Sequence, residues 1–432
     1  MRRFVLLLLP LWLNAQTYTE LLNLLEHSYN YQSAKALENA SEALYQASLG
    51  KNLPALDATL SAIEFNEIPN MTLHLPSFPV TTAEVGTRRH LEGALVLSYP
   101  LFTGFAISSS IDKAKLEYEQ AILKVTNLKR NLAMHVTQLY SAVISEDKVI
   151  EALQSSYDAL QLSYQKAKGF YDNGLLAQSE LYAIEAKTYD MQAQITKHRN
   201  QKKQMLNQLS MLLNTKISTL SPQTILYDTP EFDEAKAVAL SEREDVLAMH
   251  KALDIAQSNV ALAQSKLYPN VALVGVLKRQ GDSLELNGDG YTNADKSYAG
   301  ISVSWNLFNG YTDMHTIDAA RASKLSAFSD LEAYKEHVLT EIDNTLLEIE
   351  TLKANLKSAE QEENATYEYT KLTQGRFDNQ LTSADELSRA IANLATIKAK
   401  VASLQSEIFY QNALVWLECG WHIFEKKTLS AH

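Results

Sequence analysis

Two hydrophobic periods alternate along this chain, and each occurs twice. Between Leu91 and Tyr99 the period is two: Leu91, Gly93, Leu95, Leu97 and Tyr99 share one face, and Glu92, Ala94, Val96 and Ser98 the other. That alternation predicts a β-strand over 90–100. It returns over 298–306, with Ala299, Ile301, Val303 and Trp305 on one face and Tyr298, Gly300, Ser302 and Ser304 on the other. Less regular alternation, after Leu53-Pro54 and Tyr268-Pro269, predicts partner strands over 55–65 and 271–279. A lipid-facing strand and a half-buried strand of a soluble sheet both fit this pattern.

After each strand pair the period lengthens. Val125, Leu128, Leu132, Val136, Leu139 and Val143 keep one helical face, and Leu331, Tyr334, Val338, Ile342 and Ile349 repeat it, with Thr345 as the one break. Neither proline nor glycine interrupts 105–168. A helix over that stretch is ~95 Å long at 1.5 Å per residue. Its steps of eleven residues (125 to 136, 128 to 139, 132 to 143) follow a nearly straight helix.

The two halves also echo each other in words. Ser98-Tyr99-Pro100-Leu101-Phe102-Thr103-Gly104 returns as Ser304-Trp305-Asn306-Leu307-Phe308-Asn309-Gly310. Phe170-Tyr171-Asp172-Asn173-Gly174-Leu175 returns as Arg376-Phe377-Asp378-Asn379-Gln380-Leu381. Both echoes share one offset (304 − 98 = 206; 376 − 170 = 206). A fixed spacing over some seventy residues points to a paired element of fixed reach. The second motif reads as a turn between antiparallel helices, since Asn and Gly tolerate the left-handed conformation of a helix exit. Ser383-Ala384-Asp385-Glu386 reads as a capping box opening the returning helix. The predicted organisation is a secretory leader at 1–15, a first repeat at 16–215 (hairpin 105–213), a linker at 216–235, a second repeat at 236–418 (hairpin 311–418) and a short unassigned tail at 419–432. A helix over 17–50 opens the first repeat.

Composition narrows the reading. Arg2 and Arg3 precede the short apolar core Phe4–Leu13, a signal-peptide pattern with a cleavage point after Ala15. No other stretch reaches the ~18 apolar residues of a transmembrane helix, so a membrane role would fall to the strands. A net charge of −12 argues against a nucleic-acid partner. The single cysteine, Cys419, forms no intrachain disulfide. Fourteen glycines and nine prolines are few for 432 residues, which favours long helices. The ten histidines form no His-x-x-x-His pair, and no phosphate-binding glycine loop or nucleophile elbow is present. No cofactor or metal is implied. The acids between Asp282 and Asp295 lack EF-hand spacing and read as a solvated loop.

Four strands cannot close a transmembrane barrel, whose small forms have eight, so a membrane reading demands an oligomer. On the duplication, the Leu-Phe-x-Gly strand ends, the tips Gly174-Leu175 and Gln380-Leu381, and the run from Arg243-Glu244-Asp245 through Ala256 and Ala263 to Tyr268-Pro269, the chain resembles the TolC-like family of outer-membrane efflux and secretion channels. That resemblance implies a mainly α fold with a β-barrel part. Duplicated helical hairpins would form a periplasmic α-barrel, and four strands per chain would join a twelve-stranded transmembrane barrel in a homotrimer. It further implies an exit duct in outer-membrane lipid, reaching into the periplasm to a periplasmic adaptor (membrane fusion protein) and an inner-membrane transporter. Asn173, Gly174, Leu175, Asn379, Gln380 and Leu381 are the candidate docking tips. Asp378, Asp385, Glu386 and Arg389 are the candidate gate or acidic ring, with helix capping the simpler reading of Glu386. Tyr99 and Trp305 are candidate membrane-interface aromatics. Two departures stand out: Gln380 occupies a glycine position, and Arg389 a position where some members carry an acid. The competing reading is a periplasmic hairpin protein with no barrel.

Overall fold

The computed structural model describes residues 15–223, 227–288 and 293–430; the predicted leader falls almost wholly on residues outside that range. The residues pack as two units, one of 15–37, 122–248 and 332–430, the other of 38–121 and 249–331. In chain order the helices are α1 (Tyr18–Asn23), α2 (Tyr29–Gly50), α3 (Ala106–Asp172), α4 (Gln178–Leu212), α5 (Phe232–Glu242), α6 (Glu244–Ser265), α7 (Thr312–Asp378), α8 (Ala384–Glu418) and α9 (Trp421–Ser430). The strands are β1 (Ala55–Glu64), β2 (Asn70–Leu73), β3 (Thr81–Glu84), β4 (Arg89–Thr103), β5 (Asn270–Gly281) and β6 (Tyr298–Ser304). Helices α3 and α7 both have 67 residues and α4 and α8 both have 35, each pair displaced by 206 (312 − 106; 384 − 178).

In the first unit, α3, α4, α7 and α8 pack about the apolar stripe read from the sequence. Val136, Val143, Val338 and Ile342 are fully buried. Tyr18 closes this core, ringed by Tyr140 and Phe409 at centroid distances of 5.0 and 5.6 Å. Thr345, the break in the stripe, is buried and donates to Glu418 Oε1 at 3.1 Å. A polar interruption on one helix thus meets a polar residue on another.

In the second unit, β1-β4-β5-β6 form one antiparallel sheet with β1 and β6 at its edges. Leu97 pairs with Leu56, Leu95 with Ala58 and Leu277, and Leu273 with Ile301, so one face is continuously apolar. Leu56, Leu60, Leu95, Leu277, Ile301 and Val303 on it are exposed. The opposite face carries Asp57, Thr59, Glu92, Ser98 and Ser302.

Several elements differ from the sequence expectation. The helix expected over 17–50 breaks through a 3₁₀ turn at Leu24–His27, with extended Ser28 before α2. Strand β4 runs three residues past its expected end because the register shifts between Pro100 and Phe102. Pro100 has no N–H to give the ladder, and the bulge returns Phe102 to the apolar face opposite Val271. Strand β6 stops at Ser304, which pairs with Asn270; Pro269 precedes, and no ladder partner remains for Trp305 or Asn306. Hairpin β2–β3 has no counterpart in the sequence expectation. Part of the expected linker is helical, since Asp233 and Glu234 in the first turn favour α5 from Phe232 onward. The unassigned tail forms α9, which seats buried Trp421 and Phe424 after Gly420 turns the chain.

Candidate functional surfaces

The two hairpin tips are built alike. Asn173 and Asn379 each cap their own helix, Nδ2 donating at 2.7 Å to the carbonyls of Gly169 and Gly375. Leu175 N–H donates to Phe170 O and Gly174 N–H to Tyr171 O, both at 2.8 Å. Leu381 to Arg376 (2.8 Å) and Gln380 to Phe377 (2.9 Å) repeat this paired closure, the Schellman form of a helix end. Gly174 adopts φ +73° and Gln380 φ +58°, so Gln380 takes the left-handed conformation a glycine takes in the first tip. Leu175 and Leu381 stand exposed.

The tips also hold each other. Lys166 Nζ lies 2.9 and 3.0 Å from the Asp378 carboxylate oxygens, Glu180 Oε2 accepts the Ala384 N–H at 2.8 Å, and Phe170 and Phe377 meet edge-to-face at 5.8 Å. Asp385 is paired within its helix by Arg389 (2.6 Å). Glu386 accepts from Thr382 and from Tyr369 (3.2 Å), with Arg376 3.8 Å away. These hydroxyls, with the arginine, hold the Glu386 carboxyl below its usual range. The predicted capping box is therefore half formed: Ser383 Oγ accepts the Glu386 N–H at 3.1 Å, but the Glu386 side chain turns to Thr382 and Tyr369 instead of back to Ser383. Sequence reasoning misses Lys166, Tyr369 and Arg376 as partners of these acids. It also misses Glu180 as a clasp on the other hairpin.

A charge cluster is buried in the same unit. Arg130 Nη2 reaches Asp245 Oδ2 at 2.5 Å, Arg243 spans Asp245 (2.9 Å) and Glu341 (3.0 Å), and Tyr334 donates to Asp245 at 2.8 Å. Burial would raise the Asp245 carboxyl, but the two guanidiniums and Tyr334 outweigh it and hold it low. Glu244 moves upward on burial while accepting the Trp421 N–H at 2.7 Å. Glu418 is pushed by burial to about 7; among the described residues its Oε2 has no hydrogen-bond partner, and Thr345 donates to its other oxygen. Cys419 is buried and pushed up to about 12, which leaves it an unreactive thiol.

The apolar sheet face has an aromatic margin at the end where the helices attach. Trp305 is exposed and donates Nε1–H to Leu267 O at 3.1 Å; Tyr99 is half-buried opposite Leu273. Phe102, Phe105 and Tyr268 form an edge-to-face chain at 5.5 and 5.9 Å, and Phe308 meets Tyr311 at 5.5 Å. The Leu-Phe-x-Gly echo contains Phe102 and Phe308, so the repeat itself points to this margin beyond Tyr99 and Trp305. Gly104 closes it: a Cβ there would lie 2.5 Å from Ser265 O and 2.7 Å from Tyr268 Cβ.

The family described as outer membrane efflux protein matches residues 21–215 and 237–415, most of the chain. The chain belongs to the outer membrane efflux protein family. Outer membrane protein OprJ of Pseudomonas aeruginosa is 22% identical over 340 residues, which is 76% of this chain and 64% of that protein. The chain thus aligns with under two thirds of that relative's length. Among solved structures, CusC superimposes with a TM-score of 0.79 at 14% identity, covering 93% of this chain and 92% of that one. VceC of Vibrio cholerae gives 0.79 at 16%, covering 93% and 96%. At such identities the likeness is one of fold. This outer membrane efflux protein is a mainly helical chain with a minor sheet, placed in the outer membrane and extending into the periplasm. The exposed apolar sheet face is what contact with lipid selects.

Proposed function

We propose that this chain assembles as a homotrimer with a shared twelve-stranded barrel and acts as the passive exit duct of a tripartite efflux or type I secretion system. The observation that carries this is the open sheet. Its apolar face is exposed, and β1 and β6 leave two ladder edges. In lipid those edges must be paired, and four strands fall short of a barrel, so further copies must supply the rest. Three copies give twelve strands. Tyr99 and Trp305 anchor the barrel at the lipid–water boundary. CusC, described with conformational changes accompanying folding and transmembrane channel formation, supports a channel role for this fold.

The tips form the periplasmic mouth in this reading. Asn173, Gly174, Leu175, Asn379, Gln380 and Leu381 present the docking surface for a periplasmic adaptor, and an inner-membrane transporter supplies the energy. Asp378, Asp385, Glu386 and Arg389 act in the gate. Each of these acids has a cation within the chain, in Lys166, Arg389 and Arg376. The mouth is therefore a charge-balanced clasp rather than a bare carboxylate ring. Exposed pairs of this kind are individually weak, which suits a closure that adaptor contact must undo. Single-channel recording in planar bilayers tests this. Wild-type protein is expected to show small, discrete conductance steps, and Lys166→Ala with Glu180→Ala larger ones. Inserted protein with no conductance in either form contradicts the duct, and equal conductance in both contradicts the clasp.

A further inference from the structure

We infer that β6 of one copy joins β1 of the next in a fixed register, with Val303 opposite Leu60 of the partner subunit, and that residues 305–308 become strand when it does. This pairing rests on the barrel reading above and adds the register which that reading leaves open. The duplication carries it. The first strands of the two repeats differ by 215 positions (270 − 55), as do Pro54 and Pro269 before them, and the second strands differ by 206 (304 − 98). Adding these offsets to the β1–β4 pairs gives the β5–β6 pairs. Ala55 with Ser98 becomes Asn270 with Ser304, and Ser61 with Glu92 becomes Val276 with Tyr298. All seven β5–β6 pairs are reproduced in this way. The two repeats therefore hold one strand register, not merely one sequence pattern.

The chain also contains one junction between repeats. There β4, the second strand of the first repeat, pairs with β5, the first strand of the second, with Leu97 opposite Gly275 and Tyr99 opposite Leu273. The edges left open are β6, again a second strand, and β1, again a first strand. A neighbouring copy therefore remakes the junction head to tail. Moving the β4 numbers up by 206 and the β5 numbers down by 215 sets Val303 opposite Leu60, Ile301 opposite Ala62 and Trp305 opposite Ala58 of the partner subunit. Each of these pairs joins the apolar faces of the two strands. A slip of one residue would set Leu60 against Ser302 or Ser304, on the other face. A slip of two keeps the faces but makes the two junctions unlike. The same shift accounts for an exposed segment. Residues 305–308 extend no strand in the single chain, and Trp305, Leu307 and Phe308 are exposed. Their counterparts Tyr99, Leu101 and Phe102 lie in β4, which passes its bulge to set Phe102 opposite Val271. Carried over, Phe308 falls opposite Leu56 of the partner subunit (271 − 215 = 56), an exposed residue on the same apolar face.

Disulfide trapping of the full chain in isolated outer membranes tests the register, in a Cys419→Ser background. A Cβ at Gly275 would lie 3.8 Å from Leu97 Cβ, a separation that suits a disulfide, so the counterpart pair should close readily. On oxidation, Leu60→Cys/Val303→Cys is expected to link copies into dimers and trimers on non-reducing gels. It should do so about tenfold faster than Leu60→Cys/Ile301→Cys or Leu60→Cys/Trp305→Cys, whose residues would be diagonal neighbours roughly 7–8 Å apart. Faster linkage of either offset pair overturns the register, as does an inserted oligomer in which Leu60→Cys/Val303→Cys fails to link. Amide exchange over 305–308 should slow in the oligomer to the rate seen over 99–102. Continued fast exchange there overturns the strand extension. Membrane insertion and oligomer size, recorded on the same samples, separate the two claims: an inserted trimer with another register sinks this pairing alone, whereas a chain that never inserts sinks the barrel.

Discussion

Gly104 and Gly174 both adopt positive φ, yet they predict different penalties. At Gly174 no atom of the described residues beyond its own chain neighbours lies within 4 Å of the position a Cβ would take, so Gly174→Ala meets only the left-handed strain, ~1 kcal/mol. At Gly104 the same change adds a clash with backbone oxygen, and Gly104→Ala should cost more than ~3 kcal/mol. Heat-induced loss of helical circular dichroism should separate the two. Equal shifts would show that the close approach to Ser265 and Tyr268 is relaxed in solution. Glu418 gives a pH prediction. Its folded pKa of about 7 lies above the ordinary glutamate value of 4.5, so the folded state holds a proton the unfolded chain releases. The stabilisation is complete below the unfolded pKa and is lost as pH rises through the folded one, by about 3 kcal/mol at most. Glu418→Gln keeps the hydrogen-bonding shape without the titration. The variant should therefore gain stability over wild type as pH rises from 5 to 8, read as the difference in melting midpoint at each pH. A constant difference across that range would mean Glu418 does not titrate there.

Among the elements, the sheet makes the sharpest claim, because its two faces differ. Leu95 and Thr59 lie on adjacent strands but on opposite faces. Leu95→Arg places a charge on the lipid side at a cost of ~2–4 kcal/mol and should cut the yield of membrane-inserted protein. Thr59→Arg faces the other way and should insert normally. Equal insertion would mean that the apolar face does not meet lipid. This face is legible in the sequence because one-sided apolar character forces a period of two from Leu91 to Tyr99. Strands β2 and β3 are not, because all eight of their residues are exposed and no burial imposes alternation. The break between α5 and α6 is equally silent. It carries neither glycine nor proline, and extended Arg243 is held by its ion pairs to Asp245 and Glu341. At the tips, turn chemistry makes Asn173-Gly174 readable. Lys166–Asp378 and Glu180–Ala384 are not, since pairing across 212 and 204 residues depends on how one hairpin is rotated against another.

For the whole molecule, the fold class is written in the 206-residue offset. It reappears as equal helix lengths in the two hairpins, and the family match falls in two long segments, 21–215 and 237–415. Where the two halves differ, the differences have partners: Gln380 keeps the glycine's backbone, and Arg389 neutralises Asp385. One chain supplies four strands with open edges, so a membrane duct requires assembly. The most direct test is the mass of the detergent-extracted full chain by light scattering, with membrane fractionation alongside. A detergent-requiring particle of three chains, recovered from the outer membrane, is the predicted result. A water-soluble monomer that stays stable without detergent would contradict it.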